Sequence, residues 1–61
     1  MYNAETRVVI DGKRRYICVT YQDGSTYYAL VELFSSLERN VGEGSNPQEA
    51  IRDGIRKINS L

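Results

Sequence analysis

Residues 39–51 read RNVGEGSNPQEAI, from Arg39 to Ile51. The segment Gly42-Glu43-Gly44-Ser45 is either a loop that cradles a phosphate or the punctuation between a strand and a helix, and the two readings lead to different fold classes. A P-loop places a lysine and a Ser or Thr directly after its second glycine block, and a dinucleotide fingerprint runs Gly-x-Gly-x-x-Gly into a helix within a parallel βαβ unit. Here Gly44 leads into Ser45-Asn46-Pro47, with no lysine. The helix reading accounts for each residue. Asn46 serves as N-cap, Pro47 takes the first helical position where no amide donor is missed, and Glu49 takes the third, an Asn-x-x-Glu variant of the capping box. From there Ala50, Ile51, Gly54, Ile55, Ile58 and Leu61 fall on one stripe, with Gln48, Glu49, Arg52, Asp53, Arg56 and Lys57 opposite. The spacing predicts an amphipathic helix over residues 47–60, with one face for a sheet. Gly54 lies on the apolar stripe, where a missing side chain lets the helix approach strands closely, and Arg56 and Lys57 complement the helix dipole.

Working outward, two Asp-Gly pairs, Asp11-Gly12 and Asp23-Gly24, each separate segments rich in Val, Ile, Tyr and Thr. Such pairs suit the positive φ angles of tight hairpin turns. They predict strands over residues 6–10, 14–22 and 26–34. Residues 35–43 read as a strand extension over 37–42, a short turn or irregular chain. The fold class expected is α+β: an antiparallel meander of three or four strands followed by one helix, in a single domain of residues 1–61.

The pleat then divides the side chains. With Asp11-Gly12 as a two-residue loop, Val8, Ile10, Ile17, Val19 and Tyr21 share one face, and Arg7, Val9, Arg14, Tyr16, Cys18 and Thr20 share the other. The first set is expected to be the core under the helix. Strand three is apolar on both sides, with Tyr28, Leu30 and Phe34 on one and Tyr27, Ala29, Val31 and Leu33 on the other. A helix of about four turns covers only one sheet face. The second face, carrying Tyr16, Cys18, Tyr27, Val31 and Leu33, is therefore expected to meet another protein chain.

Sixty-one residues make a thin core, and small chains without disulfides or metals commonly gain stability by self-association or docking. A homodimer is the expectation. One cysteine and no histidine exclude an intrachain disulfide and a structural zinc site, which needs four N/S ligands. Eight basic residues balance eight acidic ones, which removes the broad electrostatic footprint of a dedicated nucleic-acid binder. The amino terminus has no basic leader followed by an apolar run, and nothing approaches the ~18 apolar residues of a membrane span. A soluble cytoplasmic protein, the complete product of a small gene, is the expectation.

From Tyr16 onward, the order of elements and the ending VGEGSNPQEAIRDGIRKI resemble HicB-like antitoxins, whose partial ribonuclease H-like fold carries a three-stranded meander followed by a Gly-x-Thr-x-x-Glu-Ala helix start. Gly44, Ser45, Glu49, Ala50 and Ile51 look like that pattern. The segment YQDGSTYYALVEL and the glycines before the last helix also resemble the later part of a double-stranded RNA-binding domain. That match is partial: Asn46, Pro47 and Gln48 stand near where that family places its RNA-contacting lysines, and TRVVI replaces its first helix.

The chemical inventory argues against catalysis. Without histidine, acid-base work falls to carboxylates, Tyr or Lys, and the strand pattern brings no two carboxylates together. Glu32 between Val31 and Leu33 marks a solvent-facing or edge position, and Cys18 reads as a small hydrophobe in a strand. No catalytic, cofactor or metal residue is assigned. Lys13, Arg14 and Arg15 cluster after the first turn beside Tyr16, a pattern that can hold phosphates and stack bases or simply form a solvated hairpin tip. Five tyrosines suit a surface that offers apolar area while keeping hydroxyls in water. The reading is a non-enzymatic protein-binding module, an inhibitor or antitoxin-like protein of phage or mobile-element type acting in the host cytoplasm. The alternative is a nucleic-acid-binding module using Lys13, Arg14, Arg15 and the tyrosines.

Overall fold

The computed structural model describes residues 4–60. Four strands, β1 (Glu5–Asp11), β2 (Arg14–Asp23), β3 (Thr26–Leu33) and β4 (Arg39–Gly44), form one antiparallel sheet in the order β1-β2-β3-β4. The helix α1 (Pro47–Asn59) follows and packs on one side. The α+β meander is as expected, and the open segment resolves into a turn followed by a fourth strand.

Both hairpins are tight. Asp11 pairs with Arg14 and Asp23 with Thr26, so the two-residue loops are Gly12-Lys13 and Gly24-Ser25. Each glycine holds the first central position at φ +63° or +66°, the requirement of a type II′ turn. The first loop thus lies one residue later than Asp11-Gly12. That displacement changes each cross-strand partner by two residues, so every side chain keeps its face. A third turn joins β3 to β4: the Leu33 carbonyl accepts from the amide of Leu37 at 2.9 Å, and the Leu33 amide donates to Glu38 at 2.7 Å. Leu37 is held there at φ 60°, a left-handed conformation that costs a branched side chain about 1–2 kcal/mol.

The helix begins as its sequence requires. The Asn46 side chain accepts from the Glu49 amide at 2.9 Å, and Pro47 opens the first turn. The reciprocal bond differs from a standard capping box. The Glu49 carboxylate reaches past Asn46 to the Ser45 amide at 3.0 Å and the Ser45 hydroxyl at 2.7 Å. Those donors hold its carboxyl below the ordinary range.

The core lies between α1 and the face of the sheet that carries Tyr16, Cys18 and Thr20 of β2 and Ala29, Val31 and Leu33 of β3. Ala50, Ile51, Gly54 and Ile58 close it from the helix. This reverses the expected sides. The division of side chains between faces is right, but the helix lies on the set assigned to a partner, and Val8, Ile10, Ile17, Val19 and Tyr21 face away from it. The reason is in β4. Gly42 and Gly44 both point toward α1: a Cβ on Gly42 would stand 2.1 Å from the Ala50 carbonyl oxygen, and one on Gly44 2.5 Å from the Glu49 Cβ. Gly42 pairs with Ala29, and Gly54 meets Val31 so closely that a Cβ there would lie 2.5 Å from its Cγ2. Backbone-close packing is available only on this glycine and alanine side. On the opposite side the helix would ride on Arg39, Val41 and Glu43.

Candidate functional site

Among the described residues, none covers the sheet face away from α1. Residues directly opposite one another across the strands form rows: Thr6, Val19, Leu30 and Val41; then Val8, Ile17, Glu32 and Arg39; then Tyr21, Tyr28 and Glu43. Phe34, whose amide donates to the Arg15 carbonyl at 2.9 Å, continues the alternation beyond β3. Val8 is 63 % exposed, Ile10 68 % and Phe34 59 %, with Leu30 and Val41 also exposed. These five side chains leave on the order of 500 Å² of apolar surface in water, within the roughly 300–600 Å² of the largest patch on a typical monomer. Tyr21 and Tyr28 are stacked at the acidic end of the face, ring centroids 5.4 Å apart. Such a pair is a rigid, amphipathic contact surface.

The face has a charge pattern along the strands. On β2, Arg15 precedes the apolar run and Asp23 follows it; on β4, Arg39 and Glu43 flank Val41. Strand alternation puts all four on the open face, basic residues at one end and acidic residues at the other.

Residues assigned to partner contact from the sequence lie elsewhere. Tyr16, Cys18 and Val31 are fully buried beneath α1, Leu33 is buried, and Tyr27 is half-buried against the same core. Tyr16 keeps one polar tie, its hydroxyl donating to the Asn59 side chain at 3.3 Å. Burial pushes the Cys18 thiol pKa up, so the thiol lacks the low pKa and access of a reactive cysteine. The basic cluster diverges: Lys13 is in the turn, Arg14 donates to the Asn59 side chain at the helix end, and Arg15 lies on the open face. They do not converge as a phosphate clamp, and the buried Tyr16 offers no stacking surface beside them.

The two sheet edges differ. Along β4, the Val41 carbonyl accepts from Lys57 at 3.0 Å, the Glu43 amide donates to Asp53 at 3.1 Å, and the Val41 amide donates to Asn40 Oδ1 at 2.8 Å. The helix and Asn40 thus close that edge. Arg56, the Glu43 amide and Lys57 together hold the Asp53 carboxyl down at about 2. At the other margin α1 stops short of β1, leaving a groove of about 390 Å³ with Val9, Ile51 and Ile55 along its floor and Arg7 and Arg52 at its rim.

Among the described residues no group of three or more His, Cys, Asp or Glu side chains is placed to hold a metal, and no helix is long and apolar enough to cross a membrane. The residues sequence reasoning missed as surface are Val8, Ile10, Ile17, Val19, Leu30 and Val41. The signal that finds them is the alternation Gly42-x-Gly44, which marks the side the helix must take. Comparison with family models, with curated proteins and with solved structures gives no match for this chain.

Proposed function

We propose that this chain is a small non-enzymatic protein-binding module that works through the open face of its sheet, in the manner of an inhibitor or antitoxin-like protein that blocks its target by covering it. The observation that carries the reading is the continuous apolar face from Ile10 to Val41, uncovered on a chain whose helix occupies the other side. The patch matches the largest one on a typical monomer, which is often functional, and charged residues rim it. The stacked Tyr21 and Tyr28 add the aromatic anchors that dominate interface energies. The nucleic-acid alternative retains its charges but loses the convergence of Lys13, Arg14 and Arg15 on which it rested.

The test is capture of a protein partner from an extract of the source cells, at high salt, by immobilised chain. The variant L30K/V41K places two charges in the middle of the face and should abolish capture. K13A/R14A removes the charges away from the face and should leave it intact, because contacts outside a desolvated centre contribute little. Capture abolished by K13A/R14A and untouched by L30K/V41K would overturn the reading in favour of a phosphate-bearing or acidic surface. Circular dichroism confirms that both variants stay folded.

A further inference from the structure

We infer that the resident occupant of the open face is a second copy of this chain, stacked sheet on sheet about a two-fold axis that crosses the strands along the row Thr6, Val19, Leu30 and Val41. The inference rests on the reading of that face as the binding surface and names what covers it. Its basis is the distribution of charge about that row. A two-fold axis running across the strands reverses each strand onto its own copy. Val19, Leu30 and Val41 then meet their own counterparts, and each position before the row meets the position equally far after it in the other copy.

On β4 this sets Arg39 against the other copy's Glu43, each about 7 Å along the strand from Val41. On β2 it sets Arg15 against Asp23, and Ile17 against Tyr21. On β3 it sets the Glu32 carboxylate against the Tyr28 hydroxyl. Every ionic position on the three strands finds an opposite charge or a donor, and Ile17, Val19, Leu30 and Val41 find apolar or aromatic counterparts, while Phe34, beyond β3, meets Thr26. Sheets stacked about 10 Å apart leave a gap that arginine and glutamate side chains bridge from both sides. The zero net charge adds no long-range repulsion between copies.

The area is adequate. The exposed aliphatic and Phe34 surface, with the half-buried Ile17, Val19, Tyr21 and Tyr28 and the charged rim, approaches the ~800 Å² per partner of a standard interface. The β4 edge suits a second copy less well, being closed by Lys57, Asp53 and Asn40. A face shared with a second copy is closed to a foreign target, so self-association sets how much of the chain is free to block one.

Sedimentation equilibrium of the full chain from low to several hundred micromolar tests this, with circular dichroism as the check on folding. The parent should dimerise. R39E and E43R each create like-charge contacts at two symmetry-related places and should each weaken dimerisation by roughly tenfold or more. An equimolar mixture of the two should recover a heterodimer, because every contact then regains opposite charges. R15E and D23R repeat the logic on β2, should the β4 variants fold poorly. A parent that stays monomeric overturns the inference and leaves the face free for a foreign protein. A dimer abolished by L30K/V41K but indifferent to the charge reversals overturns this axis while keeping the face as the binding surface. A dimer insensitive to both sets of variants overturns the inference and the reading of the face together.

Discussion

Gly42→Ala is the most direct test of why the helix lies where it does. The added methyl carbon would stand 2.1 Å from the Ala50 carbonyl oxygen, 2.2 Å from the Gly54 nitrogen and 2.8 Å from the Gly54 Cα. All three are backbone atoms of α1, so no rotamer change relieves the overlap, and the helix axis must withdraw from β4 by more than about 1 Å to restore ordinary contact distances. Withdrawal loosens the contacts of Ala50, Ile51 and Ile58 with the sheet together. Overpacking costs typically about 1–3 kcal/mol, and a clash against the rigid backbone of α1 belongs at or above the top of that range. At about 0.05–0.15 kcal/mol per residue, a chain this small has roughly 3–9 kcal/mol in total, so the variant should lose a third or more of its stability. In a domain of this size that is a fall in Tm on the order of 12–24 °C. The assay is thermal and urea unfolding followed by far-ultraviolet circular dichroism, at one fixed protein concentration because association shifts Tm. Gly24→Ala is the control. It has φ +66° but nothing within 4 Å, so it should carry only the backbone strain of a non-glycine residue at positive φ, about 1–3 kcal/mol, with no steric overlap. A Gly42→Ala protein as stable as its parent would refute the account of the glycine seat.

Two other perturbations follow from local chemistry. Asp53 has its folded carboxyl pKa at about 2, below the ordinary 3.8, through Arg56, the Glu43 amide and Lys57. Its contribution is therefore complete above about pH 4 and is lost as pH falls through about 2; urea midpoints should drop across that window, and drop less in D53N, with the residual slope assigned to Glu49, whose carboxyl is also held low. Leu37 is exposed and held at φ 60°, so Leu37→Gly should raise stability by about 0.5–1 kcal/mol, the relief of backbone strain less the extra freedom of the unfolded chain; a loss of stability would mean that the Leu37 side chain makes a contact that matters.

The sequence makes the elements legible because each is specified locally. The Asp-Gly pairs, the Asn46-Pro47-x-Glu49 start and the 3.6-residue apolar stripe from Ala50 to Ile58 are short-range signals that reappear in the structure; Leu61, the last position of the stripe, lies outside the described residues. Even the one-residue shift of the first loop left the pleat assignment intact, since period two is indifferent to a change of two in register. The side taken by the helix is not encoded that way. β2 and β3 are apolar on both faces, so hydrophobicity does not break the tie, and steric access does. Tyr16 and Tyr27 read as surface aromatics because tyrosine is amphipathic, yet Tyr16 is fully buried with its hydroxyl placed on Asn59. The open face was legible as a set of residues before its exposure was.

The glycine pair in β4 also explains why so much apolar surface remains open. With no side chain at Gly42 or Gly44, the side chains of β4 beyond Asn40 all belong to the open face, and α1 drops onto the bare backbone of that strand. So seated, the helix lies over β4 and β3 and brings Asp53 and Lys57 to the outer edge of β4. The same displacement draws it away from β1, leaving Val9 over an open groove on the helix side. Close packing at one margin is thus obtained by exposure at the opposite one. A bulkier β4 would lift and recentre the helix, covering more of β1 but uncoupling Asp53 and Lys57 from the edge they close. The sheet then would have two edges available for strand pairing, which is the less selective kind of contact because main-chain hydrogen bonding carries little sequence information. Sealing one edge and leaving a patterned side-chain face in the open moves recognition from backbone to side chains, where Arg15, Asp23, Arg39 and Glu43 decide which surface fits.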